Sequence, residues 1–493
     1  MTSVLIRTDS SSSIGSGHVM RCLTLARELR RKGAHVVFAS RTCADDLNSY
    51  VESEGFTVHK MDAVDEAGDA AETSAILIKA ACDWVIVDHY SLGLGWEETV
   101  RPHLGKLLVI DDLGRRHSCD VLVDQNLVAG FERRYDGMLS VGAVSMLGPT
   151  YALLQDDYAD LQPLIKRRNF PPRRIVLYFG DGDVHGMTGR CLAALLSLDR
   201  SELSIDVVLR ASSPQLATIL EISSKESRVH LHHRLPSLAP LFLAADLAVG
   251  AGGATSWERL CLGLPSIIIT VAENQEAPAA ELSGRGLAVW IGRDTDLDKE
   301  ELQAKLAAAL DHPMNGLIES STLVDGRGAV RIAAYLTINA TTRLLARRAT
   351  IADEVLLLRW ANDPTTRAMA FHTAPIGART HHEWLQARLA SSDCRLFIVE
   401  AENGIPVGQV RFDQTAEGCV ISYSMDRIFR GKGLGTRVVE AAISASPAQD
   451  AALIARIRPE NVKSRRVLEK LGFTQTALDG SAVEFRRSQQ EHR

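Results

Sequence analysis

Apolar residues fall in short runs along the chain, separated by stretches of helical period. Runs at Val4–Arg7, Val36–Ser40, Trp84–Asp88, Lys106–Asp111 and Val121–Asp124 predict strands. A second series predicts strands at Ile175–Phe179, Ile205–Leu209, Val229–His232, Leu247–Gly250 and Ser266–Thr270. Amphipathic segments lie between them, such as Val19–Arg31, where Val19, Cys22, Ala26 and Leu29 share one face. This alternation implies parallel sheets covered by helices on both sides. The two series meet near the basic, proline-containing Lys166–Arg174. After about Arg343 the rhythm changes. Helical segments Asp353–Asn362 and Thr380–Ala390 precede antiparallel-looking strands at Leu396–Ala401, Pro406–Phe412 and Cys419–Met425. The expected organisation is an α/β Rossmann-like lobe over 1–165, a second over 166–340, and a separate α+β domain over 345–493.

Length supports several domains, since 493 residues exceed one ordinary core. The chain is 46% hydrophobic and 24% charged, the balance of a globular protein. A net charge of −6 argues against a general nucleic-acid or anionic-membrane binder. The eight cysteines are scattered and form no CxxC pair, which speaks for reduced thiols and against a zinc site. No basic-then-apolar leader opens the chain and no run approaches the roughly 20 apolar residues of a membrane span, so a cytoplasmic location is expected.

Candidate chemistry gathers at three turns. The first follows the opening strand, where Ser10–Ser13 lead into Ile14-Gly15-Ser16-Gly17-His18. Gly15 and Gly17 let backbone approach a ligand, and the next helix turns its positive end toward a phosphate. His18 is the one side chain of the turn able to exchange a proton near neutral pH. A plain turn with a solvent-facing histidine would look the same over so short a string.

The longer string Arg7–Arg21 resembles the N-terminal motif of the UDP-sugar hydrolase of pseudaminic acid biosynthesis, a glycosyltransferase-B-like family. Further strings match in the same order: Val87-Asp88-His89-Tyr90, Ile110-Asp111-Asp112-Leu113, Arg116–Asp120, Val123-Asp124-Gln125-Asn126 and Gly148–Leu154. The resemblance covers roughly residues 1–335. It implies that His18 activates the water that displaces UDP, with inversion at the anomeric carbon, and that Asp9 orients water or sugar. It also implies substrate contacts from Gly15, Gly17, Arg21, His89, Tyr90 and Asn126. No metal is expected, because UDP is already a good leaving group. The Asp111-Asp112 pair reads as a helix cap or a sugar ligand.

The second turn, Val249-Gly250-Ala251-Gly252-Gly253-Ala254-Thr255-Ser256-Trp257-Glu258, offers backbone N–H groups to a diphosphate. Thr255 and Glu258 also have the spacing of a capping box, which needs no ligand. Resemblance to glycosyltransferase-B folds implies nucleotide contacts from Gly253, Thr255, Ser256, Glu258, Asn274 and Gln275. One departure stands out: a family loop of Phe-Gly-Gly-x-Asp form reads Phe179-Gly180-Asp181-Gly182-Asp183 here, with an acid where a glycine is usual.

The third turn is Arg430-Gly431-Lys432-Gly433-Leu434-Gly435-Thr436, between a strand and the apolar helix Val438–Ile443. With Asn461-x-x-Ser464 and Glu469-Lys470-x-Gly472-Phe473 downstream, it resembles the acetyl-CoA loop of Gcn5-related N-acetyltransferases. That resemblance implies acetyl-CoA as cosubstrate, held by Met425, Arg430, Gly431, Gly433, Gly435, Thr436, Asn461 and Ser464. Many members place a tyrosine four residues after Ser464, where this chain has Leu468. Tyr423, Ser424 or helix dipoles would then have to serve the leaving thiolate. His381, His382 and Glu383 are candidate bases or simply helix-surface residues.

Together the resemblances imply a bifunctional enzyme of pseudaminic acid biosynthesis acting on a UDP-linked amino sugar. Acetyl-CoA would acylate UDP-4-amino-4,6-dideoxy-N-acetyl-L-altrosamine, and hydrolysis would then release 2,4-diacetamido-2,4,6-trideoxy-L-altropyranose. A glycosyltransferase using a related UDP-sugar, or a nucleotide-sugar sensor fused to a protein N-acetyltransferase, would fit the same folds.

Overall fold

The computed structural model describes residues 2–487 except 12–13, 181–182, 184, 211–212, 234, 313–322, 403, 447–451 and 480–481. Two compact units emerge, Met1–Ala333 and Ala334–Arg493.

The first unit holds two sheets. One runs β3-β2-β1-β4-β5-β6-β7, from β1 (Ser3–Thr8), β2 (His35–Arg41), β3 (Thr57–Met61), β4 (Trp84–Asp88), β5 (Lys106–Ile110), β6 (Val121–Asp124) and β7 (Val144–Leu147). The other runs β10-β9-β8-β11-β12-β13, from β8 (Arg174–Tyr178), β9 (Ser204–Val208), β10 (Val229–His232), β11 (Leu247–Gly250), β12 (Ser266–Thr270) and β13 (Val289–Arg293). All neighbouring pairs are parallel. Both orders are the doubly wound 3-2-1-4-5-6 arrangement, which opens a crevice at the carboxyl ends of its first and fourth strands. The central strands are apolar on both faces: Val4, Leu5 and Ile6 are buried on β1, as are Ile267, Ile268 and Ile269 on β12. A strand covered on two sides by helices demands this composition. Either face of the second sheet carries its own cluster, one around Leu177, Leu192 and Val207, the other around Trp257, Phe242 and Ile268.

In the second unit the sheet order is β14-β15-β16-β17-β18-β20-β19, with β14 (Leu344–Arg348), β15 (Cys394–Ala401), β16 (Pro406–Thr415), β17 (Gly418–Met425), β18 (Leu453–Ile457), β19 (Thr474–Asp479) and β20 (Ala482–Arg487). β14 to β17 are antiparallel neighbours. β17 and β18 are parallel and pair only at Cys419–Leu453, Val420–Ile454 and Ile421–Ala455. Beyond Ile421 the two strands run on without pairing, so the sheet splits at Ser422–Met425. A core of Leu357, Trp360, Leu385, Leu396 and Ile398 ties the helices Glu354–Ala361 and Ala378–Ala390 to the sheet. Among the described residues no helix is long and apolar enough to cross a membrane.

Candidate functional site

In the first lobe the crevice between β1 and β4 is where the glycine turn and the Asp-His-Tyr string arrive together. Gly15 adopts φ +82°, which a side chain rarely accepts, and its N–H donates to the Ser11 carbonyl at 2.8 Å. A Cβ on Gly15 or on Gly17 would meet nothing, so the turn is open. The helix Gly17–Arg31 starts directly after it with no side-chain cap on its first N–H groups.

His18 stands in the first turn of that helix, and its Nδ1 lies 2.6 Å from Asp88 Oδ1 at the end of β4. Asp88 is fully buried and receives a fork from Arg21, with Nε and Nη2 each 2.6 Å from a carboxylate oxygen. Arg21 sits one helical turn after His18, which is why it reaches the same carboxylate. Burial alone would raise the Asp88 carboxyl, but the charges and hydrogen bonds of Arg21 and His18 outweigh it and hold the group well below the usual carboxylate range. A charged Asp88 accepts a hydrogen bond from Nδ1–H, which places the His18 lone pair on Nε2, the tautomer a general base requires.

The wall continues through Asp112, which accepts from Arg21 Nη1 and from the Tyr90 hydroxyl, both at 3.2 Å. Burial and the Asp112 charge push the Tyr90 phenol up, so it stays protonated. The Tyr90 ring meets the His18 ring edge-on with centroids 4.5 Å apart. From the second lobe, Asn274 Nδ2 donates to the Tyr90 hydroxyl at 3.3 Å. A residue of the second lobe thus reaches the wall of the first crevice. Asn126 lies half-buried at the end of β6.

Asp9 does not face the crevice as expected. It is 1% exposed, and its oxygens receive Arg7, the Arg41 Nε at 2.7 Å, the Arg41 backbone N–H at 2.8 Å and His89 Nε2 at 3.1 Å. With every lone pair engaged, Asp9 braces Arg41 and His89 and has none left to orient water. His89 is likewise occupied, since its Nδ1 accepts the Ser91 N–H at 3.0 Å. Asp111 proves structural too: it accepts Gly114 N–H, Arg115 N–H and Arg115 Nε, and approaches the buried His117.

In the second lobe the glycine turn leaves β11 at its own switch point. The helix Thr255–Cys261 has Ala254 at its N-cap and no side-chain cap bond, so the Thr255–Glu258 capping box does not form. The Tyr158 hydroxyl is hydrogen-bonded to Glu258. Gln275 acts as a staple: its Oε1 accepts from Gly252 N at 3.2 Å and Val271 N at 3.1 Å, joining the turn to the end of β12. Gly253 is partly exposed beside it, and Ser256 Oγ lies buried under the turn, 3.0 Å from Arg259 Nη2. Asp181 and Gly182 lie outside the described residues; Asp183 caps the helix Met187–Leu196 through the N–H groups of Met187 and Thr188.

The second unit's site is the split in its sheet. Gly431 and Gly433 take φ +80° and +76°, and the helix Gly435–Ala445 begins at once with no side-chain cap. A Cβ on Gly431 would meet nothing, while one on Gly435 would lie 3.1 Å from the Val467 side chain and 3.6 Å from the Met425 sulfur; Thr436 is half-exposed. Tyr423 lies on the part of β17 that does not pair with β18; its buried hydroxyl has no hydrogen-bond partner among the described residues, and burial raises that phenol. Two expected cofactor ligands turn out to be ties. Arg430 is bound to Asp363 at 2.7 Å, to Thr366 Oγ1 at 2.9 Å and to the Met425 carbonyl, so it fixes the loop from behind. Asn461 caps the helix Val462–Lys470 through Ser464 N–H at 3.1 Å. Leu468 is fully buried. Of the candidate bases, His381 is buried against Trp384, His382 is paired with Glu354, and Glu383 with Arg379.

Asp88 is the partner that sequence reasoning missed. Its signal was there, an acid at a strand end inside the matched string Val87-Asp88-His89-Tyr90, but only the parallel register of β1 and β4 brings it to His18. Among the described residues no group of three or more His, Cys, Asp or Glu is arranged to hold a metal ion.

Residues 205–333 match the glycosyltransferase family 28 C-terminal domain and residues 343–474 the acetyltransferase (GNAT) domain. A Campylobacter jejuni UDP-2,4-diacetamido-2,4,6-trideoxy-beta-L-altropyranose hydrolase is 23% identical over 58% of this chain and 98% of its own length. The Methanocaldococcus jannaschii protein MJ1062 is 24% identical over 96% of this chain and 97% of its own. Spore coat polysaccharide biosynthesis protein SpsG of Bacillus subtilis is 24% identical over 39% of this chain and 55% of its own. The crystal structure of Acinetobacter baumannii MurG shares the two-lobed fold, with TM-score 0.51 and 12% identity over 68% of this chain and 99% of that one. The chain thus carries a glycosyltransferase family 28 C-terminal domain over 205–333, within a two-lobed α/β unit, and a GNAT acetyltransferase domain over 343–474.

Proposed function

We propose that the two units catalyse neighbouring steps on one nucleotide sugar. The GNAT unit moves the acetyl group of acetyl-CoA to the 4-amino group of a UDP-4-amino-4,6-dideoxy sugar. The first unit then hydrolyses the sugar–UDP bond. The observation that carries the hydrolytic half is His18, locked through Nδ1 on a charged, buried Asp88 at 2.6 Å in the lobe opposite the nucleotide turn. His18 Nε2 takes a proton from water as its oxygen attacks the anomeric carbon; the carbon–oxygen bond to the β-phosphate breaks and UDP departs from the opposite face with inversion. Gly253, Ser256 and Glu258 receive the nucleotide, while Tyr90 and Asn274 close over the sugar. The likeness to the C. jejuni hydrolase, which spans nearly all of that protein, supports a diacetamido-trideoxy sugar as the product.

In the acetyltransferase half, the loop Gly431–Thr436 offers backbone N–H groups to the CoA pyrophosphate. The substrate amine attacks the thioester carbon and the carbon–sulfur bond breaks; the departing sulfur takes a proton from the buried Tyr423 hydroxyl, and the proton shed by the new amide nitrogen restores that hydroxyl. The test is mass spectrometry of products from a UDP-4-amino-4,6-dideoxy-hexosamine derivative, with and without acetyl-CoA. The expected result is a gain of one acetyl followed by loss of UDP, in water and without an added acceptor. Free sugar that forms only when a sugar or lipid acceptor is present would refute the hydrolase.

A further inference from the structure

Buried arginines in the first unit are matched by carboxylates, with one exception beneath the nucleotide turn. Arg7 is forked between Asp9 and Asp69, and Arg21 between Asp88 and Asp112. Arg259 is 2% exposed, yet its hydrogen-bond acceptors among the described residues are neutral: Nη2 donates to the Ala251 carbonyl at 2.7 Å and to Ser256 Oγ at 3.0 Å. Its Nε has no hydrogen-bond partner among the described residues. Glu258 acts on it through charge alone, and that carboxylate is hydrogen-bonded to Tyr158. Burial lowers the guanidinium to about 10, still a cation at neutral pH. Arg168 also lacks a carboxylate bond and a partner for its Nε, but it is only half-buried and its Nη atoms seal the carbonyls of Leu243, Ala245 and Leu262.

The position of Arg259 is as telling as its isolation. A Cβ added to Gly250 would strike the Tyr178 carbonyl oxygen and lie 2.8 Å from Arg259 Nη1. The guanidinium therefore rests under the carboxyl ends of β8 and β11, the two strands that flank the switch point. Both ligand-facing loops leave from there. A buried charge without a matched partner is costly in the empty protein, and an anion arriving on the outer side of the turn relieves that cost through a low-dielectric layer.

We propose that Arg259 is a positioning residue of the nucleotide site, supplying from beneath the glycine turn the fixed positive charge against which the diphosphate binds. The inference rests on the nucleotide-site reading above. It predicts that affinity depends on Arg259 in proportion to the ligand's phosphate charge and not to its base.

Titration calorimetry of the full chain with uridine, UMP and UDP tests this, using wild type, Arg259→Met and Arg259→Lys. Wild type is expected to tighten with each added phosphate. Arg259→Met should weaken UDP by about tenfold or more while leaving uridine unchanged, and Arg259→Lys should recover part of the loss. The melting temperature of unliganded Arg259→Met should not fall, because an apolar chain replaces an unmatched buried cation. Equal losses for uridine and UDP with a lower melting temperature would make Arg259 a structural tie and overturn the proposal, as would UDP binding within twofold of wild type. Should Arg259→Met not fold, Arg259→Lys decides alone: uridine and UDP weakened equally overturns the proposal. Wild type that binds none of the three ligands would overturn the nucleotide-site reading itself.

Discussion

Asp88→Asn is the substitution that weighs most directly on the hydrolytic site. The native carboxylate accepts His18 Nδ1 at 2.6 Å and two bonds from Arg21 at 2.6 Å each, all in a fully buried position. The amide is isosteric but neutral, and its NH2 group turned toward His18 would favour the tautomer with the proton on Nε2. That tautomer cannot take a proton from water. A positioned general base contributes typically 10²–10⁴-fold to rate, so kcat for UDP release should fall by about that range. There is a second cost: Arg21 keeps only Asp112 at 3.2 Å, and breaking one arm of a buried ion pair costs about 3 kcal/mol or somewhat more. The melting temperature of the first unit should drop accordingly, so activity must be measured well below it. UDP release is followed by a coupled enzymatic assay, with folding checked by circular dichroism. Because His18 and Asp88 act as a pair, His18→Ala/Asp88→Asn should be no slower than His18→Ala. A folded Asp88→Asn protein within threefold of wild type would refute the reasoning.

Three further outcomes follow from the geometry. His117 is buried between Glu97 and Asp111; burial opposes its charge, but the two carboxylates win and raise it to about 9 from an ordinary 6.5. The stability it contributes, about 3 kcal/mol, is fully present below pH 6.5 and lost as pH rises through 9. Thermal melts from pH 6 to 10 should show that decline in wild type and not in His117→Gln; parallel curves would contradict it. Tyr423→Phe should lower kcat for acetyl transfer about tenfold or more with little change in KM for acetyl-CoA, and leave UDP release untouched, as read by thiol detection of free CoA. Gly431→Ala places a side chain at φ +80°, costing about 1–2 kcal/mol of loop geometry and raising KM for acetyl-CoA in the same assay; an unchanged KM would remove the loop from the binding site.

The central strands, the three glycine turns and the histidine were all legible along the chain, because each is a local pattern. Continuous apolar runs are what a strand buried on both faces requires, and glycine is what a positive φ requires. The short strands β3, β7 and β13 were not legible. Thr57–Met61 alternates poorly, with exposed His59 and Lys60 on a sheet edge, so its place follows from pairing with β2 alone. The split between β17 and β18 was equally hidden, since it is an absence of pairing between strands far apart in sequence.

What the sequence determined by itself is which chemically capable side chains and glycines stand at the turns: His18, Tyr90, Glu258, the glycines and Tyr423. What the tertiary structure decided is which charges cancel. Asp9, Arg430 and Asn461 looked like ligand groups until neighbouring guanidiniums, carbonyls and N–H groups claimed their hydrogen bonds. Asp88 and Arg259 acquired their importance only from what lies, or does not lie, within reach of them. A side chain's type is written in the chain, but its electrostatic role depends on partners as distant in sequence as Asp112 is from Arg21, 91 positions, and only folding brings those into contact.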